Sequence, residues 1–437
     1  MAGPLLRQLL PDSAEVDADG RCSVGGCDLL DLAALFGTPL FVYDEAHLRA
    51  RCREAVAAWG DGVAYATKAF LCVAMARLAA DEGMHLDVST GGELHVALAA
   101  GVPPERLVLH GNNKSDDELR SALSLGVGRT IVDSFDEIDR LERLAPAVGA
   151  RPRVLIRVTP GIEAHTHEFV RTGQDDSKFG FTVATGLAAE ALARLRRLDA
   201  AGVVELVGLH AHIGSNVFSI ASFEAAAEVL ARLAAPLGLP ELVVGGGLGV
   251  PYVRGEEAPT IASWAKATRG ALLAGGLDPA VRVTAEPGRS LVAAAAVTLY
   301  TVGTIKPLAG IRTYVAVDGG MSDNPRPVLY GSGYEAFLPR ATDADRPRSV
   351  RIVGKHCETG DVLVAEAFVP EDLAVGDILS TPVTGAYGHS MASNYNKVLR
   401  PPVVFVKDGL PREVVRREVL DDLLAHDVGL GAGPSGR

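Results

Sequence analysis

Val63-Ala64-Tyr65-Ala66-Thr67-Lys68-Ala69-Phe70 is an apolar, strand-like stretch that runs into a lysine at the point where a strand should give way to a loop. Seven further short apolar segments follow, at residues 85–88, 107–110, 130–133, 154–158, 206–211, 242–244 and 281–285. Between them lie alanine- and leucine-rich segments such as 92–100, 116–125, 186–198 and 223–233, whose apolar residues recur at helical spacing. Counting 63–66 as the first strand, eight strand–helix alternations predict a parallel sheet closed into a (β/α)8 barrel. The strand ends then form a rim. A rim lysine shielded by apolar neighbours can lose its proton and hold an aldehyde cofactor as a Schiff base; the alternative is a lysine snorkelling from a strand end.

Beyond Glu286 the texture changes to strand-like runs without long helices, at 297–302, 314–317, 351–353, 362–364 and 403–406. A chain of 437 residues with 48% apolar composition is long enough for two cores. The expected division is an N-terminal segment over 1–36 packing on the β domain, a barrel over 37–290, a C-terminal β-rich domain over 291–428, and a disordered glycine-rich tail over 429–437.

Charge and cysteine usage narrow the function. With 42 basic against 54 acidic residues the formal charge is −12, which argues against nucleic acid or an anionic membrane as partner and leaves small solutes. Five scattered cysteines suggest neither a disulfide framework nor a zinc site, and a reducing cytosol fits best. The amino terminus has no secretion-signal pattern, and the greasiest stretch, 291–302, is too short to span a bilayer. A soluble, cytoplasmic protein is expected.

Barrel enzymes build their sites on the loops after the strands, with phosphate often held after the seventh and eighth. Here the seventh strand runs into Gly245-Gly246-Gly247-Leu248-Gly249, where absent side chains let backbone N–H groups approach an anion; a plain tight turn is the alternative. The eighth ends in Glu286-Pro287-Gly288-Arg289-Ser290, and the sixth in His210-Ala211-His212-Ile213-Gly214-Ser215. Histidines two apart on a strand share a face. Metal ligation is nonetheless set aside, because no further histidine or cysteine lies at convincing spacing. A histidine ring can instead stack on an aromatic cofactor while Ser215 donates to its phosphate.

These motifs, taken with His110-Gly111-Asn112-Asn113-Lys114-Ser115, His165-Thr166-His167-Glu168-Phe169, Cys357-Glu358-Thr359-Gly360-Asp361 and the segment 387–396, resemble the diaminopimelate decarboxylase family. That family belongs to the alanine-racemase-like, fold-type III pyridoxal-phosphate enzymes. The resemblance runs in order from Gly37-Thr38-Pro39 to about residue 428. It implies decarboxylation of meso-2,6-diaminopimelate to L-lysine and CO2, the last step of lysine biosynthesis, with pyridoxal 5'-phosphate as cofactor and a homodimer with active sites at the subunit interface.

Carried over residue by residue, the resemblance makes Lys68 the Schiff-base lysine. His212 would stack on the pyridine ring and Glu286 would pair with its nitrogen. Ser215, Gly246, Gly247, Gly288, Arg289 and Tyr387 would hold the cofactor. Asp87 and Glu93 match positions that support the lysine and cofactor, with helix capping as the alternative. Arg289, Arg326, Tyr330, Glu358 and Tyr387 would read the substrate, and Cys357 would return a proton from the partner subunit. For Arg326, a surface-loop arginine is the alternative.

The Glu286 role also has a physical basis. Loss of CO2 leaves a carbanion, for which a protonated pyridine ring is the sink. A carboxylate about 4 Å away stabilises that protonated form by roughly 4 kcal/mol at an effective dielectric of about 20. Racemases of this fold carry arginine there, so glutamate favours decarboxylation. Two departures from the family pattern, Val244 before the glycines and Val398-Leu399-Arg400-Pro401-Pro402, touch no proposed catalytic group. The rival readings are a decarboxylase for ornithine, arginine or a carrier-tethered amino acid, and a catalytically silent relative that binds a regulatory partner.

Overall fold

The computed structural model describes residues 3–161 and 176–429. The motif at 165–169 and residues 430–437 of the expected tail lie outside the described residues. The chain divides into two compact units, one formed by Met1–Ala46, Tyr252–Arg254 and Ala294–Arg437, the other by His47–Pro251 and Gly255–Ala293.

The second unit is a barrel of eight parallel strands paired in sequence order: Ala64–Ala66, His85–Val88, Leu107–Leu109, Arg129–Val132, Arg153–Thr159, Glu205–His210, Glu241–Val243 and Arg282–Thr284. Backbone hydrogen bonds from Ala64 to Ala285 (3.0 Å) and from Ala66 to Pro287 (3.1 Å) join the first strand to the segment that continues the eighth. These strands are short apolar runs because both of their faces are covered. Inside, Ala64, Val108, Ile131, Leu155, Val207 and Val243 form one buried cluster drawn from six different strands, the layered filling that makes such a barrel a core and not a pore. Several helices between the strands start at side-chain caps, as at Asp116–Leu125, where Ser115 and Glu118 form a reciprocal capping box.

Observed strands begin one residue before the expected apolar run on Arg129, Arg153 and Glu241, and the eighth begins on a charged residue within it, Arg282. At this foot of the barrel, Glu241 accepts from Arg129 Nε (2.6 Å) and Nη2 (2.9 Å), from Arg153 Nη2 (3.1 Å) and from Arg282 Nη2 (2.6 Å). Arg129 and Glu241 are both buried.

The first unit is built on a mixed sheet in the order Val362–Val369, Arg348–Val353, Arg312–Val317, Ala296–Leu308, Leu40–Asp44, Val403–Lys407, Leu410–Val415, with Ile378–Pro382 also pairing with Ala296–Leu308. Leu40–Asp44, which the sequence division groups with the barrel, is a fully buried central strand here. Val42 pairs with Val297 on one side and Val404 on the other. Its partners lie far along the chain, so a local apolar run carried no sign of the sheet it would join. Among the described residues no helix is long and apolar enough to cross a membrane.

The foot network is a buried acid serving three guanidinium groups. Removing the acid leaves buried positive charge uncompensated, which costs about 3–5 kcal/mol. Glu241→Ala is therefore expected to lower the free energy of unfolding by that amount, read as a reduced urea midpoint, and an unmoved midpoint would refute the account.

Candidate active site

Chemistry-bearing side chains of the barrel unit collect at the C-terminal ends of its strands. Lys68 lies in the turn Thr67–Ala69 immediately after the first strand and is exposed. The turn is fixed by Thr67 Oγ1, which donates to the Asp87 carbonyl at 2.7 Å. Asp87, within the second strand, is 8% exposed, and its Oδ1 has no hydrogen-bond partner among the described residues. Burial pushes its carboxyl up to about 6, against the pull of His110. Glu93 sits in the first turn of the helix Gly91–Ala99 and accepts from the Ser89 N–H at 2.6 Å, the geometry of the capping alternative.

Glu286 lies two residues past the eighth strand and is 8% exposed. Each of its oxygens meets an imidazole: Oε1 is 2.9 Å from His110 Nε2, and Oε2 is 2.9 Å from His210 Nε2. The two rings pack edge to face with centroids 5.0 Å apart. Burial alone would raise the Glu286 carboxyl, but the charges and hydrogen bonds of His110 and His210 hold it well below the usual carboxylate range. Burial likewise opposes a charged His110, yet Asp87, 3.7 Å away, and Glu286 together raise its pKa. His210, without a second carboxylate beside it, is driven by burial down to about 4.

The two histidines at the sixth strand end have different partners. His210 turns to Glu286, whereas Nδ1 of His212 accepts from the Gly246 N–H at 3.2 Å. Burial, then Lys68, puts the His212 pKa well below its ordinary value, so the ring is neutral. His110, His210 and Glu286 bring three potential ligand atoms within 4.8 Å, a cluster that motif spacing missed because its members come from three different strands. Separations of 2.9 Å are those of hydrogen bonds between the groups themselves.

The glycine loop after the seventh strand is shaped by close approach. Gly245 (φ +70°) and Gly247 (φ +110°) have left-handed backbones, and a Cβ on Gly247 would stand 2.3 Å from the Gly214 carbonyl. A Cβ on Gly246 would meet the Glu286 carbonyl at 2.3 Å, and one on Gly288 would meet Ala66 at 3.0 Å. Arg289 is buried at the start of the short helix Arg289–Val292 and donates from Nη2 to Ser215 Oγ at 3.0 Å. The loop thus brings backbone N–H groups, a hydroxyl and a guanidinium into one region of the rim, a donor set suited to a phosphate.

In the sheet unit, Arg326 opens the helix Arg326–Tyr330 and is only 3% exposed, so it is not a surface-loop arginine. Its Nη1 donates to Tyr334 Oη at 2.6 Å, and the guanidinium carbon lies 4.1 Å from the centroid of the Tyr252 ring. Nε has no hydrogen-bond partner among the described residues. Tyr330 ends the same helix, half-buried, and Tyr387 adopts a left-handed backbone with φ +59°. Cys357 and Glu358 are exposed on a turn held from behind: Asp361 accepts from the Met321 N–H at 2.6 Å and the His356 N–H at 2.9 Å, while the Cys357 N–H donates to Asn396 Oδ1 at 3.0 Å. Sequence reasoning missed Tyr252 and Tyr334, and quoted His110 and Asp361 without a role. For His110 a signal existed, since it ends the third apolar run at the same rim level as the other strand-end groups.

Residues 45–293 match the family model described as the pyridoxal-binding domain of pyridoxal-dependent decarboxylases, so the barrel and its rim are of that class. Diaminopimelate decarboxylase of Mycobacterium tuberculosis (strain ATCC 25618 / H37Rv) is 46% identical over 440 residues, covering 96% of this chain and 97% of the relative. Diaminopimelate decarboxylase of Bacillus subtilis (strain 168) is 44% identical over 430 residues, covering 95% and 97%. The crystal structure of diaminopimelate decarboxylase from M. jannaschii in complex with L-lysine superposes with a TM-score of 0.86 at 32% identity, covering 95% of this chain and 98% of that one. The chain belongs to the diaminopimelate decarboxylase family. Pyridoxal phosphate is its cofactor, and the rim fits it, with a donor set suited to a phosphate and a buried carboxylate, Glu286, that stays ionised.

Because Gly247 combines φ +110° with a blocked Cβ position, Gly247→Ala must move the loop at a cost of about 1–3 kcal/mol. The variant is expected to fold but to bind pyridoxal phosphate at least about 10-fold more weakly, measured by visible absorbance against added cofactor. Unchanged affinity would show that the loop does not depend on this close approach.

Proposed function

We propose that this chain decarboxylates the D-configured centre of meso-2,6-diaminopimelate to give L-lysine and CO2, acting as a cytoplasmic homodimer. The observation that carries the substrate class is Arg326: a buried guanidinium between two tyrosines, with one N–H left without an acceptor and no carboxylate in ion-pair contact among the described residues. Burying such a cation is costly unless an anion arrives. A substrate with a second, unreactive carboxylate supplies that anion, and a monocarboxylic diamino acid such as ornithine does not.

The rim residues divide the remaining work. Lys68 would supply the amine that holds the cofactor through its aldehyde carbon. Ser215, Gly247 and the Gly288–Arg289 turn would hold the phosphate, Gly246 and Tyr387 would also bind the cofactor, and Asp87 and Glu93 would support the lysine and cofactor. His212, neutral and fixed by the Gly246 N–H, covers one face of the ring. When bound, pyridoxal phosphate would supply the electron sink for breaking the bond from Cα to the carboxylate. Glu286, ionised in its buried site, stabilises a proton on the ring nitrogen and so deepens that sink. Arg289, Arg326, Tyr330 and Tyr387 hold the far carboxylate. The partner subunit's Glu358 reads the far ammonium group, and the partner subunit's Cys357 returns a proton to Cα.

Exposure supports sharing of the site between subunits. Cys357 and Glu358 are solvent-facing in the single chain, and Val328, Leu329 and Tyr395, all from the same unit, are 40%, 49% and 41% exposed. Large apolar side chains left open in this way suit burial against a second copy.

A steady-state panel tests the substrate. Sites built around a charged group reject analogues that lack it by factors of about 10⁴ or more, so L-ornithine and L-lysine are expected to turn over negligibly beside meso-diaminopimelate. Arg326→Ala should lower kcat/KM for diaminopimelate by at least about 2 kcal/mol. Comparable rates on ornithine in the unmutated enzyme would sink the assignment.

Hybrid dimers test the sharing. Lys68→Ala and Glu358→Ala parents should each be nearly inactive, whereas a hybrid contains one doubly damaged site and one intact site. Equal mixing by unfolding and refolding makes half the dimers hybrid and restores about a quarter of the unmutated activity. Demonstrable hybrids without recovered activity, with unmutated enzyme surviving the same treatment, would exclude a site built from two chains.

A further inference from the structure

Both oxygens of Glu286 are already engaged by imidazoles at 2.9 Å within the chain itself. A carboxylate that served only as a counter-ion to a ring nitrogen would need one oxygen for that contact and could leave the other to water. Here it is buried between two rings instead, from strands whose ends lie 176 and 76 residues away in sequence. The two imidazoles are not equivalent. His110 stands between two carboxylates, Glu286 at 2.9 Å and Asp87 at 3.7 Å, which favour its cationic form. His210 has only Glu286. Its Nδ1 is buried with no hydrogen-bond partner among the described residues, which suits a neutral ring donating from Nε2 and disfavours a second proton.

We propose that His110 and His210 are positioning residues acting through Glu286: they keep its carboxylate ionised and aimed, so that the proton shared with the cofactor's ring nitrogen stays on the ring. The inference rests on the assignment of Glu286 to that nitrogen. In a buried acid–base pair holding one proton, the proton goes to the more basic partner. Each donor bound to the carboxylate lowers the basicity of the carboxylate more than that of a ring nitrogen lying farther away. The cation on His110 strengthens this bias, and His210 fixes the second oxygen and with it the plane of the carboxylate. Asp87, Lys68, Glu93, Arg157 and His212 also act on this cluster, so the bias belongs to the group and is greatest at the two direct contacts.

Enzyme reconstituted with pyridoxal phosphate carrying a nitrogen-15 label in the ring reports where the proton sits through the nitrogen chemical shift. Glu286→Gln tests the underlying assignment and should move the signal toward that of an unprotonated pyridine. His110→Leu should move it in the same direction and lower kcat by about 10- to 100-fold, with KM changed by no more than about threefold. His110→Gln keeps a neutral donor but loses the cation, so it should fall between. His210→Leu removes the contact to the second carboxylate oxygen and should move the signal in the same direction, by less than His110→Leu does; an unmoved signal in His210→Leu would remove His210 from the proposal. If His110→Leu or, where that variant does not fold, His110→Gln binds the cofactor with an unmoved nitrogen signal while Glu286→Gln moves it, the proposal is overturned. An unmoved signal in Glu286→Gln overturns the assignment of Glu286 itself, and the role given to the histidines falls with it.

Discussion

A carboxylate kept charged away from water is the constraint around which the barrel unit is arranged. Glu286 is buried, and an isolated buried carboxylate takes up a proton rather than bear the loss of hydration. It stays ionised because the third and sixth strand ends bring His110 and His210 to its two oxygens. That meeting requires the barrel to close, since Glu286 follows the eighth strand, whose continuation is joined to the first by the backbone hydrogen bonds of Ala64 and Ala66. The packed interior of Val108, Ile131, Leu155 and Val207 keeps the strands at the spacing the contact needs. The electronic property of one side chain thus depends on the completeness of the sheet beneath it.

Much of the barrel was legible in the sequence because its strands are covered on both faces and read as continuous apolar runs; 154–158 lies wholly within the observed Arg153–Thr159. What periodicity could not show were the ends. Arg129, Arg153 and Glu241 look like loop residues when hydrophobicity is the only criterion, yet each starts a strand because its charge is met across the foot. Leu40–Asp44 falls within the division 37–290 given to the barrel, but the sheet it joins depends on partners near Val297 and Val404 that no local window contains.

The site was legible to the extent that it lies in contiguous motifs. Lys68, the glycine loop and the segment from Glu286 to Ser290 each announce themselves by composition and position at a strand end. His110 did not announce its role, because its partner is far along the chain and a strand-end histidine has many structural uses. Arg326 looked exposed because Asp323-Asn324-Pro325-Arg326-Pro327 has the polar, proline-broken composition of a loop. The five-residue helix that follows turns the guanidinium inward against Tyr252 and Tyr334. Glu93 shows the converse, a residue singled out for the cofactor whose visible contact is with the Ser89 N–H.

The partition of the chain into two units sets most of the residues proposed for recognition, Arg289 excepted, apart from those proposed for the electronics. Lys68, His110, His210, His212 and Glu286 all belong to the barrel unit, whereas Arg326, Tyr330, Glu358 and Tyr387 all belong to the sheet unit. Substitutions that redraw the shape of an acceptable side chain therefore fall on a different hydrophobic core from those that set the ionisation of Glu286. An ancestral chain of this architecture could exchange one amino-acid substrate for another by drift in the sheet unit while its barrel remained under unbroken selection, and a laboratory recombination of the two halves starts with the same freedom.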